Sequence, residues 1–200
     1  MNLQTRRYTP EEYLEQEETA DYKSEYRDGE IIPMTGGTTN HNEIALNLAS
    51  YLKLHLRRQN YKVYIGDVRL WIPRYHLYTY PDVMLIQGRP MYMGANTTTV
   101  TNPLLIAEVL SKSTQNYDQG DKFAAYRSIP ELQEYILIDQ AQFWVMQHTK
   151  TEEGNWLLSE CKGEQSRLRL SSVEFEIDFR DIYEGVDFEE PGHHDPDKEG

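Results

Sequence analysis

NPLLIAEVLSKST, residues 102–114, contains a nearly unbroken apolar run, Leu104, Leu105, Ile106, Ala107, Val109 and Leu110, interrupted by one carboxylate, Glu108. A run of this kind is the pattern of a strand buried on both faces. An unpaired charge in such a strand is costly, so something must compensate Glu108.

The segments around it supply neighbours. Upstream, TYPDVMLIQG (79–88) reads as a strand opened by Pro81, and YKVYIGDVRLWIP (61–73) as one bent or bulged strand with Gly66 inside it. MYMGANTTTVTN reads as a loop. Downstream, DQGDKFAAYRSIP (118–130) reads as an amphipathic helix ended by Pro130, followed by the strand LQEYILID. QFWVMQH, NWLLSEC and SRLRLSS read as short antiparallel strands, and IDFRDIYEG as a closing helix.

Towards the N-terminus, Thr9-Pro10-Glu11-Glu12 carries the signals of a helix start: an N-cap, a proline at the first helical position and a capping-box glutamate. KSEYRDGEIIPM places Asp28-Gly29 between two short strand-like runs, a hairpin pattern. HNEIALNLASYLKLHLRRQ puts Ile44, Leu48, Tyr51, Leu52 and His55 or Leu56 at helical spacing, which predicts a long helix.

The 200 residues suit one α/β domain over 1–186, with an acidic tail over 187–200 (DFEEPGHHDPDKEG) too poor in apolar residues to fold. His193 and His194 in that tail read as solvated residues. Cys161 is the single cysteine, which excludes an intrachain disulfide framework. The sequence has no signal-peptide pattern and no apolar stretch of membrane-spanning length, so a soluble cytoplasmic protein without membrane association is expected. A formal net charge of −13 opposes a general nucleic-acid binder, although much of that charge sits near the two ends.

Asp82 follows Pro81 at the start of one apolar strand, and Glu108 lies in the next. If those strands pair, two carboxylates converge in a partly buried place and repel each other unless one is protonated or a cation lies between them. A divalent ion such as Mg²⁺ suits the pair, because it is commonly held by one or two carboxylates plus waters and substrate phosphates, and it activates water for attack on a phosphoryl group. No phosphate-binding Gly-rich Lys-Ser/Thr loop, nucleophile elbow or His-x-x-x-His pair competes with this reading.

The ordered set YKSEYRDGEIIPMTGG, NHNEIALNLASYL, YPDVMLI, IAEVLSKST and YDQGDKFAAYRSIPELQEYILID resembles the Uma-type family of putative restriction endonucleases, abundant in cyanobacteria, within the PD-(D/E)XK nuclease superfamily. The resemblance implies a restriction-endonuclease-like mixed β-sheet flanked by helices, to which extra C-terminal antiparallel strands are added. It also implies endonucleolytic hydrolysis of DNA phosphodiester bonds with Mg²⁺ or Mn²⁺. Asp82 and Glu108 would be metal ligands, with the backbone carbonyl of Val109 and Glu25 joining them. The lysine that usually stands two residues after the glutamate is replaced here by Leu110, and the Uma-type pattern answers with a lysine on the following helix, matching Lys122. A homodimer would supply the two sites needed to cut both strands.

Other readings compete at the same residues. Asp118, Lys122 and Tyr126 are spaced four apart, which also serves a surface ion pair. Arg69 could neutralise Glu108 in a structural pair. His41 could approach the site or be an ordinary satisfied histidine, and Lys112 with Ser111, Ser113 and Thr114 reads as a turn. For the whole chain, the alternative is a catalytically weak or inactive nuclease-fold module that binds nucleic acid or a protein partner. Leu110 and the acidic charge balance favour that rival, whereas Asp82, Glu108 and Lys122 together oppose it. A third reading is a structural protein with a buried ion pair.

Overall fold

The computed structural model describes residues 6–111 and 117–188. Residues 112–116, read from the sequence as a turn, and most of the acidic tail, 189–200, with its two histidines, lie outside the described residues. Helix α1 (Pro10–Glu17) begins with the expected capping box: Thr9 Oγ1 accepts from Glu12 N at 3.2 Å, and Glu12 Oε2 accepts from Thr9 N at 2.9 Å. β1 (Ser24–Arg27) and β2 (Glu30–Pro33) form the hairpin, turned by Asp28 at φ 43° and Gly29 at φ 96°. Two consecutive left-handed residues are what a turn matched to the strand twist requires.

β1 and β2 belong to a five-stranded sheet in the order β2-β1-β5-β4-β7, with β4 at Arg69–Ile72, β5 at Leu77–Thr79 and β7 at Thr99–Val100. Tyr13 of α1 covers it within a cluster of Tyr26, Trp71 and Tyr78, with the Tyr13 and Tyr78 ring centroids 5.2 Å apart. A six-stranded sheet runs β11-β10-β9-β8-β6-β3, composed of β3 (Tyr61–Ile65), β6 (Val83–Gln87), β8 (Leu105–Leu110), β9 (Glu134–Asp139), β10 (Trp144–Lys150) and β11 (Trp156–Lys162). β8 pairs antiparallel with β6 and parallel with β9, so the sheet is mixed.

Two sequence readings are corrected here. Residues 61–73 are not one bent strand, because the chain leaves β3 at Gly66 and enters β4 in the other sheet. Residues 79–88 likewise divide at Tyr80-Pro81-Asp82 between β5 and β6. Proline lacks the N–H that a continuous ladder would use, and the chain changes sheets at that point. Within the segment read as a loop, Thr99–Val100 adds a short strand beside β4.

Helix α2 (Thr39–His55) packs Ile44, Leu48 and Leu52 onto Leu105, Ala107 and Val109 of β8 and onto Val83 and Leu85 of β6. Each such Leu or Ile contributes about 1.5–3 kcal/mol on burial. Tyr51, on the expected apolar stripe, faces solvent instead. The alternate β8 residues Ile106 and Leu110 face the opposite core with Met84, Tyr126 and Tyr135, and Glu108 shares their parity. That second core is capped by a π-helical turn (Asp118–Lys122) leading into α3 (Phe123–Tyr126).

A C-terminal hairpin, β12 (Arg167–Leu170) with β13 (Phe175–Asp178), and α4 (Phe179–Ile182) close the α2 side. The hairpin is fastened by Glu134, which is fully buried in β9 and accepts from Ser171 N at 2.7 Å, Ser172 N at 3.0 Å and Gln147 Nε2 at 2.7 Å. Glu134→Ala removes these partnerships together with the bond from the Ser172 hydroxyl and leaves the Ser171 and Ser172 N–H groups without their acceptor, so we expect a loss of about 3 kcal/mol in urea unfolding. An unchanged unfolding midpoint would show that the hairpin is held by apolar packing alone. Beyond it, Phe188 packs on Phe143 and Tyr183 with ring centroids 4.8 and 5.6 Å away.

Candidate active site

The site forms where the chain crosses between the two sheets. Register Val83↔Ala107 in the β6–β8 pair brings Asp82 opposite Glu108. The two residues interlock: Asp82 N donates to Glu108 Oε2 at 3.2 Å, and Val109 N donates to Asp82 Oδ2 at 2.8 Å. β1 of the five-stranded sheet presents Glu25, which accepts a hydrogen bond from the hydroxyl of Thr79 on β5.

The helical segment after β8 supplies the cation. Lys122 Nζ lies 3.1 Å from Glu108 Oε1, 3.1 Å from Asp118 Oδ1 and 3.6 Å from Glu25 Oε1, with only 10% of its side chain exposed. Tyr126 donates to Glu108 Oε1 at 2.6 Å, and Tyr135 donates to the Asp118 carbonyl at 2.9 Å. The four-residue spacing of Asp118, Lys122 and Tyr126 is therefore turned inward rather than to solvent. A π-helical turn adds a residue to the helical repeat, and turns of this type are frequent at functional sites.

Arg69 does not reach Glu108. It donates to Thr99 Oγ1 at 2.9 Å and lies over the Tyr13 and Tyr78 rings, so the structural pair considered from sequence does not form. His41, near the start of α2, lies with Nε2 3.0 Å from Asp82 Oδ2. Gly37 makes room for the ring, since a Cβ there would stand 2.9 Å from His41 Nδ1.

The electrostatics are those of an anion-rich pocket. Burial, with Asp82 and Asp118 nearby, pushes the Glu108 carboxyl up to about 8 against the lowering effect of Lys122 and the Tyr126 hydrogen bond. Burial works against the charge on Lys122, yet Glu108, Glu25 and Asp118 together hold its pKa well above the usual lysine range. Asp82 is held low despite its burial, by the His41 hydrogen bond and charge and by the Val109 N–H. His41 is raised, because its bond to Asp82 outweighs the cost of burial. Burial and Glu25 push the Tyr117 hydroxyl up to about 12.

A divalent cation fits this donor set. Among the described residues four carboxylates, Glu25, Asp82, Glu108 and Asp118, face one ammonium and one imidazole. Asp118 Oδ1 is buried without a hydrogen bond, since Lys122 is near it but poorly aligned. Among the described residues no three side chains form a ready ligand cluster. Asp82 and Glu108 supply the two carboxylates that Mg²⁺ commonly takes from a protein, waters and phosphates making up the rest.

Of the residues singled out from sequence, Asp82, Glu108, Glu25 and Lys122 meet here, and the N–H of Val109 joins them. Thr79 and Tyr117 carry no sequence signal for the site, because only the tertiary fold brings them to Glu25. Asp118 and Tyr126 are signalled by their spacing to Lys122.

Comparison with known proteins agrees with this architecture. Residues 10–180 match a family model, Uma2, described as "Putative restriction endonuclease". Two uncharacterized proteins of Synechocystis sp. PCC 6803 are similar: one is 44% identical over 167 residues, covering 84% of this chain and 94% of the relative. The other is 35% identical over 180 residues, covering 90% and 93%. A crystal structure of a putative nuclease of the DUF820 group from Anabaena variabilis superposes with a TM-score of 0.72 at 17% identity, over 88% of this chain and 97% of that one. The match across most of the chain, with two relatives above 30% identity, identifies it as a member of the Uma2 family of putative restriction endonucleases.

Proposed function

We propose that this protein is a Mg²⁺- or Mn²⁺-dependent endonuclease that hydrolyses DNA phosphodiester bonds. The observation that carries the reading is the position of Lys122, whose ammonium reaches Glu108 from a helix while Leu110 occupies the strand position where the superfamily carries its lysine. Asp82, Glu108, the Val109 carbonyl and Glu25 would hold the ion. Bound there, the ion would polarise a phosphoryl oxygen and lower the pKa of a coordinated water.

The protein's own groups have separate tasks. Lys122 orients the attacking water and stabilises the charge that develops on the phosphoryl oxygens. His41 and the Val109 N–H fix the orientation of the Asp82 carboxylate, and Tyr126 fixes Glu108. The proton-rich state of Glu108 means that metal binding releases a proton, so apparent affinity should rise with pH up to about 8.

The test joins calorimetric Mn²⁺ binding with cleavage of plasmid and of single-stranded or branched DNA. We expect Asp82→Ala to abolish both metal binding and cutting. Cutting that survives this substitution unchanged would overturn the site. Metal and DNA binding by the wild type without cutting would instead favour the rival binding module.

A further inference from the structure

We infer that the groove between α2 and β3 is a track for single-stranded nucleic acid, with unpaired bases against its apolar floor and phosphates on its basic rim. The proposal rests on the phosphodiesterase reading for its class of ligand and adds the form that ligand takes. The groove encloses about 780 Å³, with Ala49, Leu56 and Val63 in its floor and the exposed Leu54 and Ile65 at its sides. Lys53, Arg57, Arg58 and Lys62 rim it, and among the described residues no carboxylate lines it.

These four cations share one groove in a chain of net charge −13. All four are exposed, and among the described residues none has a side-chain hydrogen bond, ion pair or ring partner. Arg6, Arg7, Lys23, Arg167 and Arg169, by contrast, are each paired with a carboxylate. A helix C-terminus favours basic residues and so accounts for Lys53 and Arg57, but not for Lys62 on β3 or for the apolar floor. Arg58 is held at φ 69°, a left-handed conformation uncommon for a residue other than glycine.

Position links the groove to the site. β3 is the edge of its sheet, and its last residue, Ile65, pairs with Val83, next to Asp82. Gly66 N donates to the Asp82 carbonyl at 3.2 Å. His41, at the other wall, opens the helix whose far end carries the basic cluster, about 18–24 Å away at 1.5 Å per residue. A duplex offers a surface groove mainly phosphate and sugar, which leaves Leu54, Val63 and Ile65 unmatched. A single strand offers base faces together with phosphates, and sites for single strands combine a basic groove with aromatic side chains, which Tyr61 supplies in this lining. A second copy docked symmetrically would set the four cations against their own equivalents, which disfavours self-association here.

The test is fluorescence anisotropy with a labelled single-stranded oligonucleotide and with its duplex, across a NaCl series in EDTA so that nothing is cut. The proteins are the full chain, the Lys53→Gln/Arg57→Gln/Arg58→Gln/Lys62→Gln variant and the charge-keeping Lys53→Arg/Lys62→Arg variant. We expect the wild type to prefer the single strand, with log K falling against log [NaCl] at a slope of about −2 to −3, roughly −0.7 per phosphate contact. The fourfold variant should bind at least about tenfold more weakly with a slope near zero, and the charge-keeping variant should bind as the wild type does. If the fourfold variant does not fold, Arg57→Gln and Lys62→Gln alone should each flatten the slope by about 0.7.

Equal or tighter binding of the duplex, or an unchanged slope in the neutralised variants, overturns the proposal. So does failure to bind the strand where an acidic amphipathic peptide binds in a manner dependent on the four cations. Plasmid cutting with Mg²⁺ by the same proteins separates the two readings. Charge-dependent strand binding without cutting keeps the groove and removes the nuclease, whereas cutting with charge-independent binding does the reverse.

Discussion

Lys122→Gln should reduce DNA cutting by about 10²–10³-fold in kcat, the cost of removing one preorganised charge from a developing phosphoryl anion. Among the described residues Lys122 is also the one ammonium facing Glu108, Glu25 and Asp118, in a nearly buried pocket. Breaking a buried pair usually costs about 3–5 kcal/mol. Here we expect roughly 3 kcal/mol, the lower end of that range, because Glu108 already favours its protonated form and can remain neutral when the ammonium is lost. For a domain of this size that is a melting-point drop of about 6–12 °C. Mn²⁺ should restore more stability to the variant than it adds to the wild type, since it would replace the missing positive charge. Single-turnover cleavage and thermal melts with and without Mn²⁺ check both parts. A folded Lys122→Gln protein that cuts at the wild-type rate would remove Lys122 from the mechanism.

Glu108→Gln should have opposite effects on activity and stability. Cutting and metal binding are expected to be lost, because a neutral amide cannot replace the carboxylate as a ligand. Stability of the metal-free protein should rise. The folded-state pKa of Glu108 stands near 8, above its ordinary value of 4.5, so folding requires a proton that the unfolded chain has released. The stabilising contribution of the protonated carboxyl is complete below about 4.5 and is lost progressively up to about 8. The glutamine variant does not titrate, so its advantage over the wild type should grow across that window by roughly 1 kcal/mol per pH unit. Lys122 keeps Asp118 at 3.1 Å and Glu25 at 3.6 Å as partners in the variant. Metal-free melts at pH 5 and pH 8 should therefore show a small difference at the lower pH and a gain of several degrees at the higher. A variant that melts below the wild type at pH 8 would mean that Glu108 is ionised and paired in the folded protein. A stability gain coupled to lost activity is the behaviour of a site that keeps repelling charges together for a ligand.

The two sites of these predictions differ in how legible they are in the chain. Glu108 is marked by its own strand: an apolar run with one carboxylate in it requires compensation wherever the strand lies. Lys122 is marked by its spacing to Asp118 and Tyr126, although that spacing alone leaves open whether the face turns inward or to solvent. The inward turn depends on Tyr135 holding the Asp118 carbonyl and on the π-helical turn, and neither is a property of the segment by itself. His41 illustrates the same limit. Its place at the start of α2 follows from the helix pattern, whereas its contact with Asp82 depends on where α2 lies across the sheet.

By itself the sequence determined the local elements: the buried strands Leu105–Leu110 and Glu134–Asp139, the capped helix at Pro10, the Asp28-Gly29 hairpin and the long helix from Thr39, while the pairing that sets Asp82 opposite Glu108 entered only as a condition. These follow from short-range preferences in dihedral angle, capping and apolar period. Only the tertiary structure decided that 61–73 and 79–88 each divide between two sheets, that Glu25 comes to Lys122 from the far sheet, and that Glu134 fastens the C-terminal hairpin. The physical reason is that strand alternation is the same whichever sheet a strand joins. The choice of partner is made by long-range packing, and the site stands at the crossing where that choice is made.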